Sequence, residues 1–317
     1  MTKYILKRLL YFVLTMWVIT TVTFFLMNTL PGNPLMTKAK KLPAEVQANM
    51  LKKWGLDKPV PVRYVKYLNN LLHGNLGESI NTPGYTANQL IKERFPVSAR
   101  LGLQAVILGL VVGLILGILA AFYRNSWIDW LVIFIAILGV SVPSFVIAAL
   151  IQFFFAGKLG WFPIIGWPSS HIWTTGFSYT VLPTIALSFG SLAMFARYMR
   201  TSMLDVINQD YILTAKAKGI SNVAIVWKHI IRNAILPIIT ILGPEIASII
   251  TGSFVIERLF TLPGIGEYFV NSISNRDYTM IMATTIFYSF LYIVSLLAVD
   301  ILYGVVDPRI RVTGEKR

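Results

Sequence analysis

The sequence predicts an all-α membrane protein with six transmembrane helices. Three observations carry that prediction. Of the 317 residues, 56% are hydrophobic and only 13% charged, where a soluble domain carries about a quarter charged. The mean hydropathy of the chain is +0.66. Six apolar runs reach the roughly 20 residues that a helix needs to cross a bilayer.

The first run is Leu9–Leu30, behind Lys3, Lys7 and Arg8. It is longer than a signal-peptide core of about 7–15 residues and lacks a small-residue cleavage site, so it reads as an uncleaved span. The second, Leu101–Tyr123, lies between Arg100 and Arg124. The third, Trp130–Ala156, lies between Asp129 and Lys158 and contains Pro143. The fourth, Phe177–Ala196, is the weakest and contains Pro183. The fifth is Asn233–Ile256, with Pro237 and Pro244, and the sixth is Tyr278–Val299. Prolines are tolerable in such spans where neighbouring groups re-satisfy the backbone.

Short loops rich in Lys and Arg stay in the cytoplasm. Lys3, Lys7 and Arg8 therefore place the N-terminus inside, together with Arg124, Arg197, Arg200, Lys216, Lys218, Lys228, Arg232 and a tail carrying Arg309, Arg311, Lys316 and Arg317. The net charge of +14 is spent mostly on these flanks, which argues against nucleic acid as the partner. Residues 157–176 and 257–277 fall outside. Segment 31–98 also falls outside although it is basic, because the rule weakens in loops beyond about 60 residues. The chain thus divides into a tail and first span at 1–30, an extracytoplasmic segment at 31–98, and a core of five spans at 99–317 with an inner loop at 197–232.

Within the outer segment, Pro31-Gly32 stops the first helix. Pro43 can open a short helix and Gly55 can end it, with Val46, Met50, Leu51 and Trp54 on one face. Tyr64, Leu68, Leu71 and Leu72 suggest a second short amphipathic helix.

Between Arg197 and Arg232 the hydropathy falls, yet Leu204, Ile207, Tyr211 and Ala215 recur at helical spacing. Gly219 can end that helix in a left-handed cap. Ser221 can cap the next, whose apolar face reads Val223, Val226, Trp227, Ile230 and Ile231. Two readings stand on these features. The pair can lie in the headgroup layer with its lysines on anionic lipid. Or it can form a compact knob on which small Ala215 and Ala217 admit a partner's backbone while Lys216 and Lys218 meet acidic residues.

The stretch Asp210-Tyr-Ile-Leu-Thr-Ala-Lys-Ala-Lys-Gly219, followed by Asn233-Ala-Ile-Leu-Pro237, resembles the EAA-type motif of binding-protein-dependent ABC importer permeases, in its dipeptide and oligopeptide branch. Further landmarks agree over nearly the whole chain: Gly55-Leu-Asp57, Gly74-Asn-Leu-Gly77, Thr251-Gly-Ser-Phe-Val-Ile-Glu257, Phe260-Thr-Leu-Pro-Gly-Ile-Gly266, Asn275-Arg-Asp277-Tyr278, Asp300-Ile-Leu-Tyr303 and Asp307-Pro-Arg-Ile-Arg311. The glutamate usual in the general motif is missing near Leu213 or Thr214, and the spacing from Gly219 to Pro237 is longer than in sugar importers. Both departures fit the peptide branch.

The resemblance implies a type I ABC importer permease fold and the B-type permease subunit of an oligopeptide importer in the bacterial cell membrane. It implies a second homologous permease subunit, two cytoplasmic ATPases that bind ATP and Mg, and an extracytoplasmic substrate-binding protein as partners. The coupling residues it implies are Asp210, Tyr211, Ala215, Lys216, Ala217 and Gly219. A permease for dipeptides or for nickel and other metal chelates is the alternative within the family.

The chain's own residues fit that division of labour. It has no G-x-x-x-x-G-K-[ST] phosphate loop, so it is expected to have no ATPase site or cofactor of its own. It has no cysteine, and His73, His171 and His229 show no metal-ligand spacing. Gly264-Ile-Gly266 reads as a turn after Pro263. Glu245 sits in the middle of the fifth span, where a carboxylate costs on the order of 3 kcal/mol unless it faces a cavity or partner. It is a candidate for the translocation path, attracting a peptide's amino terminus, or a hydrogen-bonded support for a helix broken at Pro244. Gly109, Gly113 and Gly117 share one face and allow close helix packing, within the subunit rather than between subunits. An ion-coupled secondary transporter would need a relay of intramembrane ionisable groups, and only Glu245 is deeply placed. A membrane hydrolase would need a nucleophile–base pair, and none is evident.

Overall fold

The structure, a computed structural model, describes residues 2–29, 43–168, 173–250 and 252–306. The Pro31-Gly32 stop, Thr251, His171 and the Asp307–Arg311 motif lie outside the described residues. The helices in chain order are α1 (Thr2–Thr29), α2 (Ala44–Trp54), α3 (Val60–Leu72), α4 (Ala87–Phe122), α5 (Trp127–Ser141), α6 (Ser144–Ile151), α7 (Phe177–Ile207), α8 (Asp210–Ala217), α9 (Asn222–Ile225), α10 (Arg232–Ala234), α11 (Leu236–Ile250), α12 (Phe254–Leu259), α13 (Gly266–Ser274) and α14 (Tyr278–Val306). Two π-helical stretches, Gln152–Lys158 and Val226–Ile231, follow α6 and α9. Among the described residues five helices are long and apolar enough to cross a membrane, and six crossings result if the bent pair α5–α6 counts as one.

Two compact units divide the chain: residues 1–95 with 265–291, and residues 96–264 with 292–317. In the first unit, α1 buries only 11% of its most apolar stretch. Leu6, Leu10, Val13 and Val22 remain open, as a lipid-facing helix requires. Its C-terminal end packs Phe24 and Met27 against Ile281, Met282 and Ile286, with Val60, Tyr64, Tyr67 and Leu71 of α3 closing the cluster. The sequence placed Leu72 on that face, but it is 86% exposed, and Tyr67 packs there instead. Pro43 precedes α2, and Gly55 ends it at φ 66°, as the sequence predicted. Here the Leu56 N–H reaches back to the Leu51 carbonyl at 2.9 Å.

Three of the cations of segment 31–98 line a cavity of about 280 Å³ in this unit: Lys58, Arg63 and Lys66, beside Phe24, Trp54 and Tyr67. Burial pulls the Arg63 pKa below its ordinary value and pushes the Tyr67 phenol up. Asp277 anchors the start of α14 in the same unit. Its carboxylate accepts from Ser79 Oγ at 2.6 Å, Asn81 N at 3.0 Å and Met280 N at 3.1 Å.

The second unit is organised around α7. By sequence α7 is the weakest span, and the reason is its position: 61% of its most apolar stretch is buried, so protein rather than lipid surrounds it. The three glycines of α4 meet it. A Cβ at Gly109 would lie 2.9 Å from Ser191 Cβ, one at Gly113 2.8 Å from the Leu192 carbonyl, and one at Gly117 2.6 Å from the Ala196 carbonyl. On α5, Gly139 approaches Ala193 equally closely, at 2.6 Å. The glycine face thus serves packing within the subunit, as expected.

The third span is not straight. Helices α5 and α6 are bent by 106° at the break. Val142 is extended (φ −92°, ψ 122°), because a residue before proline is driven out of the helical region. Pro143 then opens α6 without an N–H to lose. Beyond α6, Gln152 Nε2 donates to the Ile164 and Leu259 carbonyls at 2.8 and 3.3 Å, tying the loop before α7 to the end of α12.

Candidate functional site

The inner loop is built as a braced knob. Helix α7 ends at Ile207, and α8 starts behind Gln209, which is extended. At its far end Gly219 takes φ 72°. The Gly219 N–H bonds the Lys216 carbonyl at 3.0 Å, and the Ile220 N–H bonds the Ala215 carbonyl at 3.3 Å. That pairing is a Schellman motif. Ser221 then caps α9, its hydroxyl accepting from Ala224 N. Beneath the knob Met199, Met203, Ile212, Ala215, Ile225, Ile230 and Ala234 form one buried core. The knob therefore rests directly on α7.

Of the expected coupling residues, Asp210, Tyr211, Lys216, Ala217 and Gly219 are exposed. Ala215 is not: it is 5% exposed and faces the subunit's own core. Its small size lets α8 lie close to its own scaffold. The second apolar face also differs from expectation. Val223 and Trp227 are 69% and 66% exposed, while Ile225 and Ile230 are buried. The π-helix Val226–Ile231 follows: its i→i+5 bonding adds a residue to the turn, so Ile225 and Ile230, five apart, share the buried face, while Val223 and Trp227, four apart, share the exposed one. Leu213 and Thr214, near which the general motif carries glutamate, are both exposed, Leu213 by 62%. Tyr211, Leu213, Val223 and Trp227 are thus exposed apolar side chains of this loop, as Lys216 and Lys218 are its exposed cations.

The second half of the motif has a local task. Asn233 Nδ2 donates to Tyr211 Oη at 3.0 Å and to the His229 carbonyl at 2.7 Å. It joins α8 to the root of α11. Pro237 stands in the first turn of α11, where its missing N–H costs nothing.

Asp129 and Arg200 brace the same end of the unit. Arg200 Nε and Nη2 reach the two carboxylate oxygens at 2.6 and 2.8 Å, and Asn125 N donates to Asp129 at 2.9 Å. The fork–fork geometry fixes orientation as well as distance. At the other end of α11, the Glu257 carboxylate is 2% exposed and accepts from Ser98 Oγ at 2.6 Å. Gly252 and Gly264 close around it: a Cβ would lie 2.4 and 2.3 Å from its carboxyl atoms. That explains the glycines in these two motifs. The Gly264 N–H bonds the Leu262 carbonyl at 2.9 Å, so the tight turn is centred on Pro263 rather than after it, and Gly266 already opens α13.

A cleft of about 720 Å³ opens beside α7. It is walled by Gly139, Val140, Val142 and Ser144 at the α5–α6 break, by Ser191, Met194, Arg197 and Tyr198 of α7, and by Glu245, Ser248, Gly252 and Ser253. Two interruptions of helical backbone therefore face one space, the arrangement in which irregular backbone is tolerated at membrane depth. Ser191 Oγ donates to Glu245 Oε1. The carboxylate is hydrogen-bonded and lies at the cleft, but α11 runs unbroken through Pro244, so Glu245 supports no helix break there. Among the described residues no group of three His, Cys, Asp or Glu could hold a metal ion.

Comparison with known proteins follows the same outline. The family model "binding-protein-dependent transport system inner membrane component" matches residues 113–312, and its N-terminal companion matches residues 1–101. The dipeptide transport system permease protein DppB of Bacillus subtilis is 44% identical over 98% of both chains. The oligopeptide transport system permease protein OppB of Salmonella typhimurium is 40% identical over 98% of this chain and all of its own length. A solved amino acid ABC transporter chain covers 70% of this chain and 95% of its own, with 17% identity and a TM-score of 0.49.

Proposed function

The chain belongs to the binding-protein-dependent transport system inner membrane component family, and from that premise we propose that it is one permease subunit of an ATP-driven importer of oligopeptides. A second, homologous permease subunit completes the path. Two cytoplasmic ATPases bind ATP and Mg, and an extracytoplasmic binding protein delivers the peptide. This chain performs no covalent chemistry; it lines the route and converts ATPase closure into helix movement. Both termini lie in the cytoplasm, and so does the knob at 210–231. Shorter peptides are the second reading, since relatives named for dipeptide transport stand beside those named for oligopeptides.

One observation carries the coupling role. The knob exposes Tyr211, Leu213, Val223 and Trp227 while its inner face is locked into the core beneath α7. A surface that is apolar outside and rigid inside transmits a push. An ATPase groove holds Asp210, Tyr211, Lys216, Ala217 and Gly219 from outside, and Ala215 supports the helix from beneath. Glu245, held by Ser191, is the polar point of the route.

Trp227→Ala tests this. The side chain is two-thirds exposed, and exposed substitutions usually change stability by less than about 0.5 kcal/mol. A buried interface tryptophan is worth about 2 kcal/mol or more, so ATPase subunits should co-purify about 30-fold less tightly. Unchanged recovery and unchanged ATP-driven uptake would remove the knob from the coupling path.

A further inference from the structure

Among the described residues lining the cleft two side chains are charged, and they have opposite sign: Glu245 and Arg197. No ion pair joins them, although both face the same space. Glu245 is half-buried and held at the level of Ser191. Arg197 is exposed to the cleft, six residues further along α7. Six helical residues rise about 9 Å. An extended chain advances about 3.3–3.6 Å per residue, so that separation matches about three residues of peptide. The volume falls within the range of about 300–1,000 Å³ typical of ligand sites. Met194 lies between the two levels on α7, while Leu187 and Ile249 lie beyond Glu245 on the side away from Arg197; with the serine hydroxyls they grip no particular side chain.

Two unpaired opposite charges around an otherwise undemanding wall fit a ligand that is itself dipolar and variable in between. We propose that the cleft holds a short peptide by its two ends, the ammonium at Glu245 and the carboxylate at Arg197. The inference rests on the permease reading above and adds a polarity to it. Arg197 belongs to the end of α7 that leads into the knob, so the peptide enters with its carboxylate towards the cytoplasm. The side chains between its ends meet only weak contacts, which reconciles a defined orientation with broad acceptance. Ser191 is a positioning residue: its hydroxyl fixes the carboxylate of Glu245.

The test is ATP-driven uptake by the whole importer in liposomes, with binding protein and ATPases unchanged. The probes are trialanine, its N-acetyl form and its C-terminal amide. Selectivity of the binding protein is common to all permease variants, so each variant is scored by its uptake ratios. Arg197→Gln should cut the acid-to-amide ratio about tenfold, the worth of one charge-assisted hydrogen bond, and leave the free-to-acetylated ratio unchanged. Glu245→Gln should do the reverse, and Arg197→Lys should restore the acid preference. Ratios that stay at wild-type values in both variants, or that fall together in both, overturn the two-ended clamp and leave the permease reading intact. Absence of ATP-driven uptake of any of the peptides by the wild-type assembly overturns that reading and the clamp with it.

Discussion

Single residues here do work that their types alone do not announce. Asp129 looks in sequence like a flanking charge before an apolar run. In the fold it is 3% exposed and takes both prongs of Arg200, which pins the loop after α4 to the end of α7. Removing one partner of such a buried pair costs about 3 kcal/mol, because the other is left uncompensated. Asp129→Ala should therefore lower the thermal unfolding midpoint in detergent clearly; a midpoint unchanged from wild type would mean that water replaces the carboxylate. Gly109, Gly113 and Gly117 were readable as a packing face from spacing alone. Their partner, the backbone of α7 from Ser191 to Met199, was not, because pairing between distant helices leaves no local mark.

At the scale of elements, the caps were the most legible features. Gly55, Gly219 and Ser221 stand where the sequence placed helix ends, since left-handed backbone and an orphan N–H are local requirements that glycine and serine meet locally. Gly219→Ala tests the C-terminal cap of α8. No neighbouring atom obstructs a Cβ there, but φ is 72°, so the cost is backbone strain of about 1 kcal/mol. Hydrogen exchange across residues 210–220 should quicken several-fold while exchange in α7 stays as it was; equal protection in both proteins would show that another contact holds α8. The elements that escaped sequence reading are those whose period changes midway. The π-helix at Val226–Ile231 put Ile225 and Ile230 on one buried face, and the α5–α6 break turned one span into two segments. Pro143 marked the place of that break. Its angle depends on what α7 and α12 leave open.

For the whole molecule, orientation sets the direction of every proposed movement. The chain lacks cysteine, so single cysteines report cleanly. Lys218→Cys should resist a membrane-impermeant maleimide in intact cells and react in inverted vesicles. Leu72→Cys, on the exposed side of α3, should behave oppositely. Reaction of Lys218→Cys in intact cells would reverse the topology and end the coupling proposal. The weakness of the fourth span is also a whole-molecule matter. Its Ser188, Ser191 and Thr184 are buried among other helices, where a polar side chain finds partners; on a lipid-facing span such as α1 they would be costly.

Composition, apolar run length and the basic flanks were enough, without coordinates, to establish a polytopic helical membrane protein, because the bilayer imposes length and polarity on each span separately. Helix caps and the glycine face followed for the same reason: each is a demand that one stretch of chain makes on itself. Tertiary structure alone decided which face of the inner loop is bare, where Ala215 points, what Asn233 holds, and that Glu245 and Arg197 share a cleft. Those are relations between segments many residues apart, created only when α7 gathers its neighbours around it.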